Sequence, residues 1–223
     1  MDILFEDYYL LAINKPAGLS AENGEQRHPS AEREALFYLT RVLNEKSTSS
    51  RLKVTPYLKV AHRLDRPVSG VLLLAKTKTA LLDLMEQFES RAVEKIYMAV
   101  VAKRPPADSG ILKDWLAKDP VQRKATLFKN EKKGRQYAEL SYTVVQNIGP
   151  GALLEIRPAT GRFHQIRAQL AQLGCPIVGD TLYGGPAWQE HEIKLHAARL
   201  TVRHPKSGET LELSAPIPAS WQL

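Results

Sequence analysis

Residues 137 to 157 most limit the architectures open to this chain. Tyr137 to Gln146 and Ala152 to Arg157 are extended, apolar-rich runs separated by Asn147-Ile148-Gly149-Pro150-Gly151. Strands joined by so short a Gly- and Pro-bearing link pair as an antiparallel hairpin. Leu200 to Arg203 and Thr210 to Leu213 repeat the arrangement around His204-Pro205-Lys206-Ser207-Gly208. Val71 to Ala75, entered through Gly70, reads as a strand buried on both faces. Tyr8 to Ile13 reads as another, stopped by the turn signal Lys15-Pro16-Ala17-Gly18.

Helical spacing follows Ser30 through Ala35, Leu36, Leu39, Val42 and Leu43, and it recurs at Leu81, Leu82, Leu84, Met85 and Phe88, a stripe assigned to the core. Ile166, Leu170 and Leu173 mark a third helix that stops at Gly174. Val93 to Val101 alternates as a strand, with Lys95, Tyr97 and Ala99 on one face and Ile96, Met98 and Val100 on the other. Pro105, Pro106 and Ser109-Gly110 mark a loop, and Asn44 to Ser50 is the least ordered-looking interior stretch. Hairpin-joined strands with helices between other strands predict an α+β chain with a mixed, largely antiparallel sheet. Without an internal repeat or linker, residues 1–223 read as one folded domain.

Several chemistries are disfavoured. A chain of 223 residues can bury a substantial core unaided, and one cysteine, Cys175, excludes a disulfide framework or a Cys-rich zinc module. His191 and His196 are five apart, whereas helical zinc ligands stand four apart. No Gly-rich loop has a nucleotide-binding pattern, and Cys175 between Gly174 and Pro176 reads as a packed side chain. Hence no metal and no cofactor are expected. The longest apolar run, Ile96 to Ala102, is far shorter than the roughly 18 to 20 residues of a membrane span. With acidic Asp2, Glu6 and Asp7 where an export signal would be basic, a cytoplasmic monomer without membrane association is the default expectation.

The net charge of +7 is unevenly laid out. Residues 1–45 hold 4 basic and 8 acidic side chains, and residues 46–223 hold 27 and 16. One basic cluster comprises Lys46, Arg51, Lys53, Lys59, Arg63, Arg66, Lys76 and Lys78; a second comprises Arg123, Lys124, Lys129, Lys132, Lys133 and Arg135. Two such clusters suit a polyanion, whose neutralised phosphates supply salt-sensitive affinity.

Within the first cluster lies His62-Arg63-Leu64-Asp65-Arg66-Pro67-Val68-Ser69-Gly70, a polar loop delivered into the buried strand at Val71. Asp65 is the only acid from residue 46 to residue 82, so surrounding arginines favour its ionised form. A second polar element, Thr160-Gly161-Arg162-Phe163-His164-Gln165-Ile166-Arg167, runs into the third helix and places His164 and Arg167 on neighbouring positions of one face. No acid stands between Glu155 and Asp180, so Arg157, Arg162 and Arg167 are expected to lack local partners.

With these residues in view, the chain resembles the RluA-type pseudouridine synthases, which isomerise uridine in RNA. The resemblance runs from Asp7 and Asn14-Lys15-Pro16-Ala17-Gly18-Leu19 through His62-Arg63-Leu64-Asp65 with Ser69-Gly70, then Lys95 and Tyr97. It continues through Gly161 to Arg167, Gly174 to Ile177, Gly179-Asp180 and Tyr183-Gly184, and ends with Leu195-His196-Ala197, Leu200, His204-Pro205 and Ala215-Pro216. Val68 stands where Thr is usual, and Phe163 where Thr or a similar residue often precedes His-Gln.

The resemblance implies the pseudouridine synthase fold, with helices and loops around a central RNA-binding cleft, and no S4 module ahead of residue 14. It implies that Asp65 is the catalytic carboxylate, as nucleophile or as base toward a ribose proton, and that Arg167 pairs with it. Tyr97 would stack on uracil, and Arg63 would support the space left by a flipped base. His62, Arg66, Lys95, Arg162 and His164 are assigned to substrate or RNA contact, with rRNA or tRNA as the partner. A non-catalytic RNA-binding or ribosome-assembly factor on the same fold is the alternative.

Overall fold

The computed structural model describes residues 1–23, 29–46 and 55–222. The chain divides into two compact units, Met1–Val93 with Arg199–Ala215, and Glu94–Ala198 with Pro216–Leu223. Among the described residues, no helix is long and apolar enough to cross a membrane.

In the first unit, β1 (Asp2–Glu6) pairs antiparallel with β2 (Leu10–Lys15), and β2 pairs antiparallel with β4 (Ser69–Ala75). The two-residue β3 (Lys59–Val60) also pairs with β4. The last five residues of β10 (Leu195–Arg203) form a hairpin with β11 (Thr210–Ser214), as the turn signals between them predict. All seven residues of β4 are buried, as its unbroken apolar run requires. Leu10, Ala12, Val71, Leu73 and Ala75 pack with Leu200, Val202 and Leu213.

Helix α1 (Ala31–Lys46) buries Ala35 and Leu39 and leaves Leu43 exposed. It runs through Asn44 to Lys46, and the remainder of the stretch expected to be least ordered lies outside the described residues. Helix α2 (Lys78–Glu89) is capped by Thr77, whose side chain accepts from the Ala80 amide. The expected core stripe is corrected here: Ala80, Leu84 and Gln87 are buried, while Leu82 and Met85 are exposed. Gln87 takes an inward position because its amide donates to the Arg203 carbonyl and accepts from the Arg203 N–H, tying α2 to the β10–β11 hairpin.

The second unit is an antiparallel array in the order β5-β9-β8-β6-β7: β5 (Glu94–Val101) pairs with β9 (Gly151–Pro158), β9 with β8 (Gln136–Ile148), β8 with β6 (Ser109–Asp119), and β6 with β7 (Lys124–Phe128). The β8–β9 hairpin is the predicted one. Its Gly151 is needed because a Cβ there would stand 2.0 Å from the Val101 carbonyl oxygen. Helix α3 (Gln165–Gln172) sets Ala168 against Leu116, Ala125 and Ala138 of β6, β7 and β8. An α+β chain is observed; β1, β3, β6 and β7 are additions to the predicted elements, and Ser109-Gly110, read as a loop, opens β6.

Candidate active site

The loop that carries Asp65 is anchored by a residue to which sequence reasoning gave only a turn-signalling role. Lys15 ends β2 opposite Gly70 of β4 and is fully buried. Its Nζ donates to the carbonyls of Pro16 (2.9 Å), Leu19 (2.8 Å) and Arg66 (3.4 Å). The Gly18 amide donates to the Arg66 carbonyl at 2.8 Å, and Arg66 Nε returns a bond to the Gly18 carbonyl at 2.8 Å. Segments 16–19 and 62–68 are thereby locked to each other. Val68 N donates to the Asp65 carbonyl at 3.0 Å, and buried Leu64 and Val68 anchor the turn on both sides of half-buried Asp65. Val68, the departure from the usual Thr, thus serves as an apolar anchor.

Burial pushes the Lys15 ammonium down from 10.5 to about 7, and the negative charge of Asp65 holds it up against that trend. The two groups therefore feel each other's charge across the clamp. The motif Asn14-Lys15-Pro16-Ala17-Gly18 held this signal, because a lysine closing a strand that reads as buried needs internal acceptors.

The other residues of the loop divide by exposure. His62 Nε2 accepts from the Leu73 amide at 3.2 Å, while the Leu73 carbonyl accepts from Ala61 N at 2.9 Å. His62 thus completes the edge of β4 where β3 stops, and its ring stacks on Phe88 of α2 at 5.1 Å. Arg63 is largely exposed, with Nη1 3.1 Å from Glu22 Oε1. An exposed pair of this kind is worth at most about 1 kcal/mol, so Arg63 exchanges partners cheaply.

In the second unit, Tyr97 and Lys95 alternate on β5 as predicted, both half-buried, with Tyr97 opposite Ile156. Arg167 lies buried in α3 and forks onto Asp180, Nε to Oδ2 at 2.7 Å and Nη2 to Oδ1 at 2.8 Å. Gly179, at φ 91°, turns the chain just before Asp180. The Tyr183 ring lies 5.2 Å from the Arg167 guanidinium carbon. Gln165 braces the loop ahead of α3: its Oε1 accepts from Thr160 Oγ1 (2.7 Å) and the Arg162 amide (3.0 Å), and its Nε2 donates to the Glu139 carbonyl (3.0 Å). Arg162 Nε donates to the Tyr137 carbonyl at 3.0 Å.

Two expectations are corrected. His164 is the N-cap of α3 in the left-handed conformation, φ 53°, so it does not share a helical face with Arg167. Arg157 has local partners, Glu155 at 2.9 Å and Glu94, and Asp180 serves Arg167. Asp180, Tyr183 and Gln165 received no role from sequence, although all lie within the motifs that carry the resemblance.

The basic clusters differ as well. Lys59 pairs with Glu32 (2.9 Å), Lys76 with Glu6 (2.8 Å) and Arg63 with Glu22, so the acidic first fifth of the chain neutralises much of the first cluster. Arg51, Lys53 and the Lys46 side chain lie outside what is described. In the second cluster Lys129 reaches buried Asp114 at 2.9 Å and Arg135 stacks on Phe128 at 3.6 Å, while Arg123, Lys132 and Lys133 are exposed.

Residues 9–172 match the family model described as RNA pseudouridylate synthase. The chain belongs to that family. Among curated members, it is 40% identical over 74% of its length to an uncharacterized RNA pseudouridine synthase of Chloroflexus aurantiacus, covering 51% of that protein. It is 32% identical to ribosomal large subunit pseudouridine synthase C of Yersinia pestis, over 96% of this chain and 65% of that one. It is also 32% identical to tRNA pseudouridine synthase C of Pectobacterium carotovorum, over 100% of this chain and 60% of that one. The chain therefore spans about half to two thirds of the length of these relatives. Among solved structures, human RNA pseudouridylate synthase domain containing 4 superposes with a TM-score of 0.78 at 26% identity, over 99% of this chain and 90% of that one. The pseudouridylate synthase fold is thus observed, strands with few helices in an α+β chain.

Proposed function

We propose that this chain isomerises uridine in RNA to pseudouridine, with Asp65 as the catalytic carboxylate. The bond from uracil N1 to the ribose breaks, the base turns, and C5 joins the same ribose carbon. The proton lost at C5 is balanced by one gained at N1, so the reaction consumes no oxidant and transfers no group to water. Asp65 acts in its ionised form, either on the ribose carbon as nucleophile or on a ribose proton as base. Tyr97 supplies a ring for the uracil to stack on. Arg167 is held rigid by the Asp180 fork, and exposed Arg63 enters the space a flipped uridine leaves.

The observation that carries this reading is the clamp on the Asp65 loop. A buried ammonium bonded to three backbone carbonyls fixes a half-buried acid among arginines and shares its field with that acid. A loop that merely bound RNA would need its cations positioned and would have no use for the acid. The RNA partner is ribosomal or transfer RNA, following relatives named for each. Pseudouridine maps of total RNA from cells with and without this gene test the proposal. One or more positions should revert to uridine in the deletion and be restored by the wild-type gene; identical maps would contradict it.

A further inference from the structure

Phe163 has no task in the mechanism above, yet the structure invests in its placement. The ring is 39% exposed and stacks on His164 with centroids 3.8 Å apart and planes 17° from parallel. His164 adopts a left-handed conformation that residues other than glycine seldom take. In that conformation its ring lies against Phe163 and its Nδ1 stands 3.1 Å from Tyr183 Oη. The Ala125 amide of β7 donates to the same oxygen at 2.6 Å, and the Tyr183 ring meets Arg167. A connected line of side chains therefore leads from the exposed Phe163 ring to the buried Arg167–Asp180 fork.

One face of the Phe163 ring is taken by His164, and Lys118 Nζ stands 5.0 Å from the ring centroid. Lys118 is an exposed residue of β6, opposite Ala125 in register, so the cation beside the ring is flexible and can move aside. An aromatic face with an ammonium beside it presents both components of single-stranded RNA recognition, a surface for a base and a charge for its phosphate.

We propose that Phe163, backed by His164, is a stacking platform for an unpaired base of the RNA substrate, with Lys118 taking that nucleotide's phosphate. Resting on the RNA reading above, this makes Phe163 a determinant of how tightly RNA with an unpaired base at this position is held. A Thr at this position would offer no such surface.

The full chain is assayed on unmodified ribosomal and transfer RNA transcripts by tritium release from uridine C5, with direct binding to the same transcripts measured in parallel. Phe163→Leu should raise KM and weaken binding about tenfold while kcat changes less than about twofold, and Phe163→Trp should restore both. Lys118→Ala should reduce the dependence of binding on salt by about one phosphate contact. Thermal unfolding of each variant at the wild-type midpoint separates these losses from misfolding. Unchanged KM and binding in Phe163→Leu, or a Trp variant no better than Leu, would overturn the platform. Wild-type protein that binds the transcripts but releases no tritium would overturn the isomerase reading alone, because the binding comparison still decides the platform.

Discussion

Lys15 in the first unit and Arg167 in the second are buried cations compensated in opposite ways. Arg167 is bonded in a plane by both oxygens of Asp180, a carboxylate as buried as the cation it serves. Lys15 is surrounded instead by the carbonyls of Pro16, Leu19 and Arg66 and shares only its field with half-buried Asp65. A guanidinium needs a planar, forked partner, whereas an ammonium is a point charge that backbone oxygens can satisfy. The consequence is a division of roles between the two acids. Asp180 has both oxygens committed to structure, and Asp65 is placed by a clamp built from the backbone of segment 16–19 and of its own loop.

Breaking the second unit's pair should produce the larger effect. Asp180→Ala strands the Arg167 guanidinium without its fork, and a loss of about 3 to 5 kcal/mol in urea unfolding is expected. A loss below about 1 kcal/mol would mean that the fork is not what compensates Arg167.

Lys15 predicts a pH signature that Arg167 lacks. Its folded value of about 7 lies below the ordinary 10.5, so between those limits the unfolded chain holds a proton that the folded chain has released. Stability contributed by this group therefore rises with pH across that window. The stability of wild type relative to Lys15→Met should grow by about 2 to 4 kcal/mol from pH 7 to pH 10, a difference that cancels other titrating groups. A gap independent of pH would contradict the buried, depressed ammonium.

Smaller effects test the residues flanking these cations. If Tyr97 has the proposed stacking role, Tyr97→Leu should lower kcat/KM about tenfold and Tyr97→Phe, which keeps the ring, less than about threefold. Equal activity of all three proteins would remove the stacking role. Glu22→Gln should change stability by no more than about 0.5 kcal/mol while strengthening RNA binding at low salt, since it releases Arg63 from an exposed pair. Unchanged RNA affinity would place Arg63 away from the RNA.

What could be read from sequence depended on whether neighbouring residues alone decided the structure. The unbroken apolar run of β4 and the Gly- and Pro-bearing link between β8 and β9 are local signals, and both elements form as predicted. β6 was hidden because its inward face carries Asp114, which is tolerated there by Lys129 and Gln169, partners 15 and 55 residues away. The α2 stripe misled because Gln87 finds its partner in Arg203, so a polar residue takes an inward position while Leu82 and Met85 face outward. Within the site, Asp65 stood out as an isolated acid. The Lys15 clamp and the Asp180 fork depend on tertiary contacts, and the left-handed turn at His164 departs from the helical spacing that placed it beside Arg167.

The central claim is that the clamped carboxylate of Asp65 performs the chemistry. Asp65→Asn changes one atom type in a half-buried side chain, so the protein should fold and bind unmodified RNA within about threefold of wild type. Quantifying pseudouridine in RNA incubated with each protein is the most direct test. The account predicts product from wild type and none above background from Asp65→Asn; product at a near wild-type rate from the variant would contradict it.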